Sequence, residues 1–325
     1  MRAYVIRRLL LVIPTLVLAS FVIFVVVDMF PGDIVDAMMA QDPEQRLDRP
    51  TIERKLGLDA PLIIQYGRWL GVVPQMDGSL SGVLQGNLGG SWRRGNTVVE
   101  LMGMAWPVTL ELGLMALIIA QLIALPVGVY SALRQDKWGD YLGRSFAILC
   151  ISIPSFWLGT MIILFPAIWW GYMPSIMIVH FTEDPIGNLR MFIVPAIVLG
   201  MSISGMTMRM TRTMMLEVMG QDYIRTAWAK GLGERVVVMR HALKNALIPV
   251  VTLIAIYMPV LLGGAVIVEQ IFCLSGLGRL ELTALLYRDE PVIRGVTLIF
   301  TVILVLVNLI VDLTYAYLDP RVHYK

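Results

Sequence analysis

The sequence predicts an all-α integral membrane protein of about six transmembrane helices, with an external subdomain between the first two. Three observations carry this reading. Hydrophobic residues make up 57% of the chain and charged residues only 15%, against about 25% charged in a soluble domain; mean hydropathy is +0.74. Apolar runs long enough for a hydrocarbon core of about 30 Å recur along the chain. Lys and Arg gather in alternate short loops, as the positive-inside rule requires. A formal net charge of +2 and the absence of a basic run exclude nucleic acid as a partner.

The apolar stretches lie at 9–29, 106–131, 142–170, 191–210, 248–270 and 294–317. Each is expected to be helical, because lipid offers the backbone no other partner. Pro126, Pro154, Pro166 and Pro259 are read as kinks packed against neighbours. The first stretch, Leu9 to Val27, is longer than the apolar region of a signal peptide and no Ala-x-Ala site follows it, so it reads as an uncleaved anchor.

Orientation follows from the short-loop cations. Arg2, Arg7 and Arg8 precede the first span, Arg134 and Lys137 lie between the second and third, and Arg321 and Lys325 end the chain. The loop between the fourth and fifth spans is densest, with Arg209, Arg212, Arg225, Lys230, Arg235, Arg240 and Lys244. Both termini and this loop are therefore expected in the cytoplasm.

The chain divides accordingly. Residues 1–30 form a cytoplasmic tip and the first span, 31–105 an external subdomain, 106–318 a core of five spans containing the cytoplasmic loop 211–247, and 319–325 a cytoplasmic tail. In the external subdomain, Pro31-Gly32-Asp33 ends the first span and Thr51 is placed to cap a short helix that stops at Gly57. Gln65 to Leu70 reads as a second, interfacial helix, and a Gly-rich run follows from Gly78 to Gly90.

The most distinctive segment is polar and lies between two apolar spans. Asp222 reads as a helix N-cap whose carboxylate favours the positive end of the helix dipole, and Gly231 as a left-handed stop. Between them, Tyr223, Ile224, Ala227 and Trp228 form one apolar stripe, with Arg225, Thr226, Ala229 and Lys230 completing the segment. A helix this short is unstable alone in water and must be held by tertiary contact. One reading lays it on the membrane surface, with Trp228 among the headgroups.

The run Glu217-Val-Met-Gly-Gln-Asp222-Tyr-Ile-Arg-Thr-Ala-Trp228-Ala-Lys-Gly231-Leu-Gly-Glu-Arg235, continuing to Arg240-His-Ala-Leu-Lys-Asn-Ala-Leu-Ile-Pro249, resembles the signature loop of ABC importer permeases. More narrowly, it is similar to the dipeptide/oligopeptide/nickel permease family. The resemblance runs nearly end to end, through Arg7-Arg8-Leu-Leu-Leu-Val-Ile-Pro14, Leu56-Gly-Leu-Asp-Ala-Pro61, Pro107-Val-Thr-Leu-Glu-Leu112, Ile153-Pro-Ser-Phe-Trp-Leu158, Gly276-Leu-Gly278, Asn308-Leu-Ile-Val-Asp-Leu313 and Leu318-Asp-Pro-Arg321. It departs from the broader loop pattern at Thr226-Ala227-Trp228, where Glu-Ala-Ala is usual, and at Lys244, where a proline is usual.

The resemblance implies the type I ABC importer fold and half of a translocation pathway for di- or oligopeptides or related solutes. It makes residues 222–231 the helix that couples to cytoplasmic ATPases. It further implies a homologous second permease subunit, two cytoplasmic ATPase subunits or domains, an external solute-binding protein, and residence in a bacterial inner membrane.

The residues independently require an outside energy source for transport. A phosphate-cradling loop needs Gly-x-x-x-x-Gly-Lys-Ser/Thr, and none of Lys55, Lys137, Lys230, Lys244 and Lys325 follows a glycine. No cofactor is expected on this chain, with ATP and magnesium on partner subunits. The alternative is a secondary transporter driven by an ion gradient, which predicts ionisable groups at mid-membrane. The candidates Glu111, Glu269 and Asp312 fall near span ends, where snorkelling or capping is expected. His180, His241 and His323 stand in different loops without metal spacing, and Cys150 and Cys273 lack His or Cys neighbours, so neither a metal site nor catalytic residues are expected. Gln121, Ser152, Ser155, Tyr257 and Asn308 are candidates to line a polar route, and Ala196, Gly200 and Ser204 read as a small-residue packing stripe.

Overall fold

The computed structural model describes residues 2–29, 35, 49–171 and 178–318; Pro31-Gly32-Asp33, Asp319-Pro320-Arg321, His323 and the rest of the tail lie outside the described residues. Among the described residues regular structure is helical throughout, apart from one isolated bridge between Gly90 and Thr97. In chain order the helices are α1 (Arg2–Asp28), α2 (Arg49–Leu56), α3 (Leu62–Leu70), α4 (Val98–Leu133), α5 (Trp138–Ser152), α6 (Ser155–Trp170), α7 (Pro185–Met219), α8 (Asp222–Ala229), α9 (Lys244–Ile271), α10 (Leu277–Tyr287) and α11 (Glu290–Leu318). Shorter turns lie at Val83–Gln85 and Glu234–Val236, and a π-helix at Val237–Leu243 leads into α9.

Five of the described helical runs are long and apolar enough to cross a bilayer: Ile6–Asp28, Val98–Leu133, Pro185–Met219, Glu234–Pro259 and Glu290–Ile310. A sixth crossing exists if α5 and α6 count as one span, although they meet at 91°. The sequence reading treats Pro154 as a kink in one helix; the structure breaks the helix there. Ile153, the residue before the proline, turns extended (φ −83°, ψ 119°), because the proline ring crowds the α conformation of its predecessor. Pro126, Pro166 and Pro259 stay inside continuous helices.

Local chemistry sets several ends. Thr97 and Glu100 form a reciprocal capping box at the start of α4, with Glu100 N to Thr97 Oγ1 and Thr97 N to Glu100 Oε2 both at 3.2 Å. This carries the helix well before the apolar run that begins near 106. Asp184 caps α7 through Ile186 N at 3.1 Å and Gly187 N at 3.0 Å, with Pro185 at the first helical position. Thr51, expected as a cap, instead lies inside α2, which begins at Arg49, and Gly57 ends that helix at φ +71°.

Contacts divide the chain into two compact units. The first comprises Val108–Gly278 with the chain from Leu306 onward. Its main core joins Leu112, Ala116 and Ala120 of α4, Phe192, Ala196, Leu199 and Ile203 of α7, and Leu261, Ala265 and Val268 of α9. Small residues let α7 approach its neighbours: a Cβ on Gly200 would lie 2.5 Å from the Ala116 carbonyl oxygen, and one on Gly205 would lie 2.6 Å from that of Ala147. Such close approach is the usual basis of helix association where lipid removes the hydrophobic driving force.

The second unit comprises Arg2–Pro107 with Arg279–Val305. Here Tyr66 of α3 packs edge-on to Phe21 and Phe24 of α1, with ring centroids 5.2 and 5.6 Å apart, and its hydroxyl pairs with Ser20 at 2.9 Å. Asp289 accepts from the Ser91 hydroxyl and from Trp92 N at 3.1 Å, joining the loop before α4 to the turn before α11.

Candidate functional site

The segment that follows α7 is built from two tight turns and one short helix. Gly220 and Gln221 turn the chain out of α7, and Gln221 takes the extended N-cap conformation (φ −75°, ψ 149°) without a side-chain bond. This corrects the sequence reading of Asp222 as the cap, because Asp222 is already the first helical residue. Its carboxylate still lies at the positive end of the helix and accepts from Arg225 Nη1 at 3.3 Å, a pair too exposed (76% and 94%) to add much stability.

At the other end, Gly231 adopts φ +76°. Gly231 N bonds Trp228 O at 2.9 Å and Leu232 N bonds Ala227 O at 3.4 Å, the paired 5→2 and 6→1 bonds of a Schellman motif. The glycine therefore satisfies carbonyls that the helix end would otherwise leave open.

The apolar stripe divides on folding. Ile224 and Ala227 are buried in a cluster with Ala132 of α4, Met215 of α7, Val237, Val238 and Ala242 of the π-helix, and Ala246 of α9. Burying an isoleucine is worth about 1.5–3 kcal/mol, which supplies the tertiary hold that eight residues need. Tyr223 and Trp228 flank that anchor and stay outward, 43% and 41% exposed. The Tyr223 hydroxyl accepts from Asn245 Nδ2 at 2.9 Å, and the same amide donates to His241 O at 3.1 Å. Arg225, Thr226, Ala229 and Lys230 are exposed as well. The helix thus presents an aromatic and cationic face while its opposite face is held by α7 and the start of α9.

The five pathway candidates are scattered. Ser152 and Ser155 flank the break at Pro154, Tyr257 packs against the main core, and Asn308 is exposed. The Gln121 amide is buried, and neither of its atoms has a partner among the described residues. No hydrogen bond joins any two of the five among the described residues.

The structure also brings together polar residues that sequence reading did not pair. Asp140 of α5 is fully buried and accepts from Arg212 Nε and Nη2 of α7, both at 2.7 Å, from the Ser131 hydroxyl, and from Asp136 N at 3.1 Å. Glu269, expected to snorkel or cap near a span end, is instead fully buried in α9. It accepts from Thr109 Oγ1 at 2.6 Å, and that oxygen accepts from Leu277 N at 2.7 Å. Arg212 entered the sequence reading only as a loop cation. The available signal for Asp140 is an acid in the first turn of a mostly apolar helix that carries Arg144 as well.

Comparison with known proteins agrees across the whole chain. Residues 124–324 match the family model described as the binding-protein-dependent transport system inner membrane component, and residues 1–113 match the model of its N-terminal region. The oligopeptide transport system permease protein AppB of Bacillus subtilis is 39% identical over 328 residues, covering all of both chains. The dipeptide transport system permease proteins DppB of Alkalihalophilus pseudofirmus and Escherichia coli K12 are 37% and 36% identical, again over all of each chain. With a multi-pass helical fold, a match to both family regions and full-length relatives, the chain belongs to the inner membrane permease family of binding-protein-dependent transport systems.

Proposed function

We propose that this chain is one of two permease subunits of an ATP-driven importer for peptides, and that α8 is the element through which cytoplasmic ATPases drive it. The peptide class rests on the full-length relatives that carry peptide transport names. In this reading ATP and magnesium bind on the partner subunits, an external solute-binding protein delivers cargo, and both termini of this chain face the cytoplasm.

One observation carries the coupling role. Ile224 and Ala227 tie α8 into a cluster shared with α4, α7 and α9, while Tyr223 and Trp228 remain open on the other face. A load applied to that open face is passed to several spans at once, because a packed cluster moves as a body. Nucleotide-driven closure of the ATPases would then displace α8 and shift the spans between inward-open and outward-open arrangements.

The test is purification of the tagged chain from native membranes with identification of what accompanies it. An ATPase and a second permease are expected, and Trp228→Glu should lose the ATPase while retaining the permease partner. A chain that purifies alone, and whose uptake collapses with the proton gradient, would overturn the reading.

A further inference from the structure

Within the unit formed by residues 2–107 and 279–305 lies a cleft of about 560 Å³ whose walls include Arg68, Trp69, Trp92, Leu58, Asp77 and Arg294. Its size is that of a small-molecule site. Its polar walls are not alike. The amide donors are spent internally: Gln65 Nε2 bonds Leu58 O and Ala60 O at 3.2 and 2.8 Å, Gln75 Nε2 bonds Arg68 O at 2.9 Å, and Asn87 Nδ2 bonds Ser81 Oγ at 2.7 Å. The carboxylate Asp77 is occupied by Ser79 N and Oγ at 2.9 and 2.7 Å, which hold its pKa below the usual value.

The cationic and indole donors are different. Arg68 Nε and Nη1, Trp69 Nε1 and Arg294 Nε are all buried and find no acceptor among the described residues. Arg294 is only 8% exposed, commits Nη2 to Glu290 at 2.6 Å, and stacks its guanidinium 4.1 Å from the Phe24 ring centre, so it is fixed in place. Unpaired buried donors are costly, and several around one cleft ask for an acceptor that the described residues do not supply. The ligand they fit accepts hydrogen bonds, carries negative charge and has the planar two-oxygen geometry of the guanidinium fork.

We propose that this cleft binds a small carboxylate-bearing solute, with Arg68 and the Trp69 N–H holding the carboxylate, Arg294 adding its fixed Nε donor, and Trp92 and Leu58 receiving the remainder. A peptide with a free C-terminus is the ligand, an assignment that rests on the importer reading.

The test uses the full chain in lipid nanodiscs, titrated calorimetrically with the dipeptide Ala-Ala, its C-terminal amide, and inorganic phosphate. Ala-Ala should bind saturably, and the amide about tenfold or more weakly, the range for losing a charge-assisted bond. Arg68→Gln should weaken Ala-Ala by about the same factor and leave the amide unchanged. Trp69→Phe, which removes the N–H donor and one ring of the indole while keeping an aromatic group beside Phe24, should weaken Ala-Ala more than its amide and serves as the measurement if Arg68→Gln melts early. Absence of Ala-Ala binding, equal binding of Ala-Ala and its amide, phosphate binding as tight as Ala-Ala, or indifference to both substitutions would each overturn the proposal. The titration needs neither ATPase nor delivery protein, so it fails separately from the importer reading. A chain that brings down an ATPase but ignores Ala-Ala loses the cleft site alone; one that binds Ala-Ala but purifies alone loses the importer reading.

Discussion

Arg212 grips Asp140 through two hydrogen bonds of 2.7 Å, although the residues are 72 positions apart and belong to different helices. Asp140 is fully buried and the Arg212 side chain only 19% exposed. Ser131 and the backbone of Asp136 satisfy the remaining carboxylate capacity, so the α4–α5 turn is fastened to α7 about two helical turns before α7 ends. The fork geometry is one that only arginine supplies.

Removing one partner leaves a buried charge without compensation, at a cost of about 3–5 kcal/mol. Asp140→Ala and Arg212→Ala should therefore each lower the melting temperature in detergent strongly. The double variant should lose much less than the sum, because it removes both charges together. Additive losses would show that the two residues act independently.

Gly200 should not tolerate a side chain. A Cβ there would lie 2.5 Å from the Ala116 carbonyl oxygen, and backbone cannot give way as a flexible side chain does. Gly200→Val is expected to cost more than the ~1–3 kcal/mol typical of an overfilled core, lowering both yield and melting temperature. Gly263→Ala is the control, since a Cβ at Gly263 meets nothing within 4 Å. Equal effects at the two sites would contradict the packing described.

The contrast between local and distant interactions explains what the sequence made legible. Helix α8 was readable in outline because its stop, Gly231, and its stripe at Tyr223, Ile224, Ala227 and Trp228 lie within ten consecutive residues. Its cap was misplaced by one residue, since an acid at the first helical position serves the helix dipole as well as an acid at the cap. The start of α4 carries a local signal too, Thr97 with Glu100, which lies outside the apolar run that begins near 106. The Asp140–Arg212 and Thr109–Glu269 pairs join helices far apart in the chain, and no periodicity announces which acid meets which donor. The break at Pro154 was visible as a proline, but its angle depends on how α6 finds its neighbours.

Glu281 of α10 predicts a pH effect. Burial raises its pKa above the ordinary 4.5, opposed in part by the hydrogen bond it accepts from Thr297 Oγ1 at 2.7 Å. A carboxyl whose folded pKa is raised binds its proton more tightly when folded. Its contribution is therefore fully present below about 4.5 and is lost as pH rises through the folded value. Unfolding followed from pH 4 upward should show wild-type stability falling relative to Glu281→Gln, which keeps an acceptor for Thr297 and cannot ionise. Parallel curves for the two proteins would remove Glu281 as the cause.

Gly231 separates backbone strain from crowding. Its φ of +76° lies in the left-handed region, yet an added Cβ would meet nothing within 4 Å. Gly231→Ala should then cost about 1–2 kcal/mol, the penalty for an L-residue in that conformation. Gly231→Val should cost more, because branching at Cβ narrows the conformations available. Gly231→Asn should cost least of the three, since asparagine tolerates the left-handed region. If α8 is the ATPase contact, transport should fall in the same order, Asn least and Val most, while membrane insertion stays at the wild-type level. Proteolytic release of the α8 loop read beside peptide uptake distinguishes the cases. Uptake that falls in that order as the loop opens supports a cap that holds the helix for its partner, whereas wild-type uptake in Gly231→Val with an opened loop would sink it.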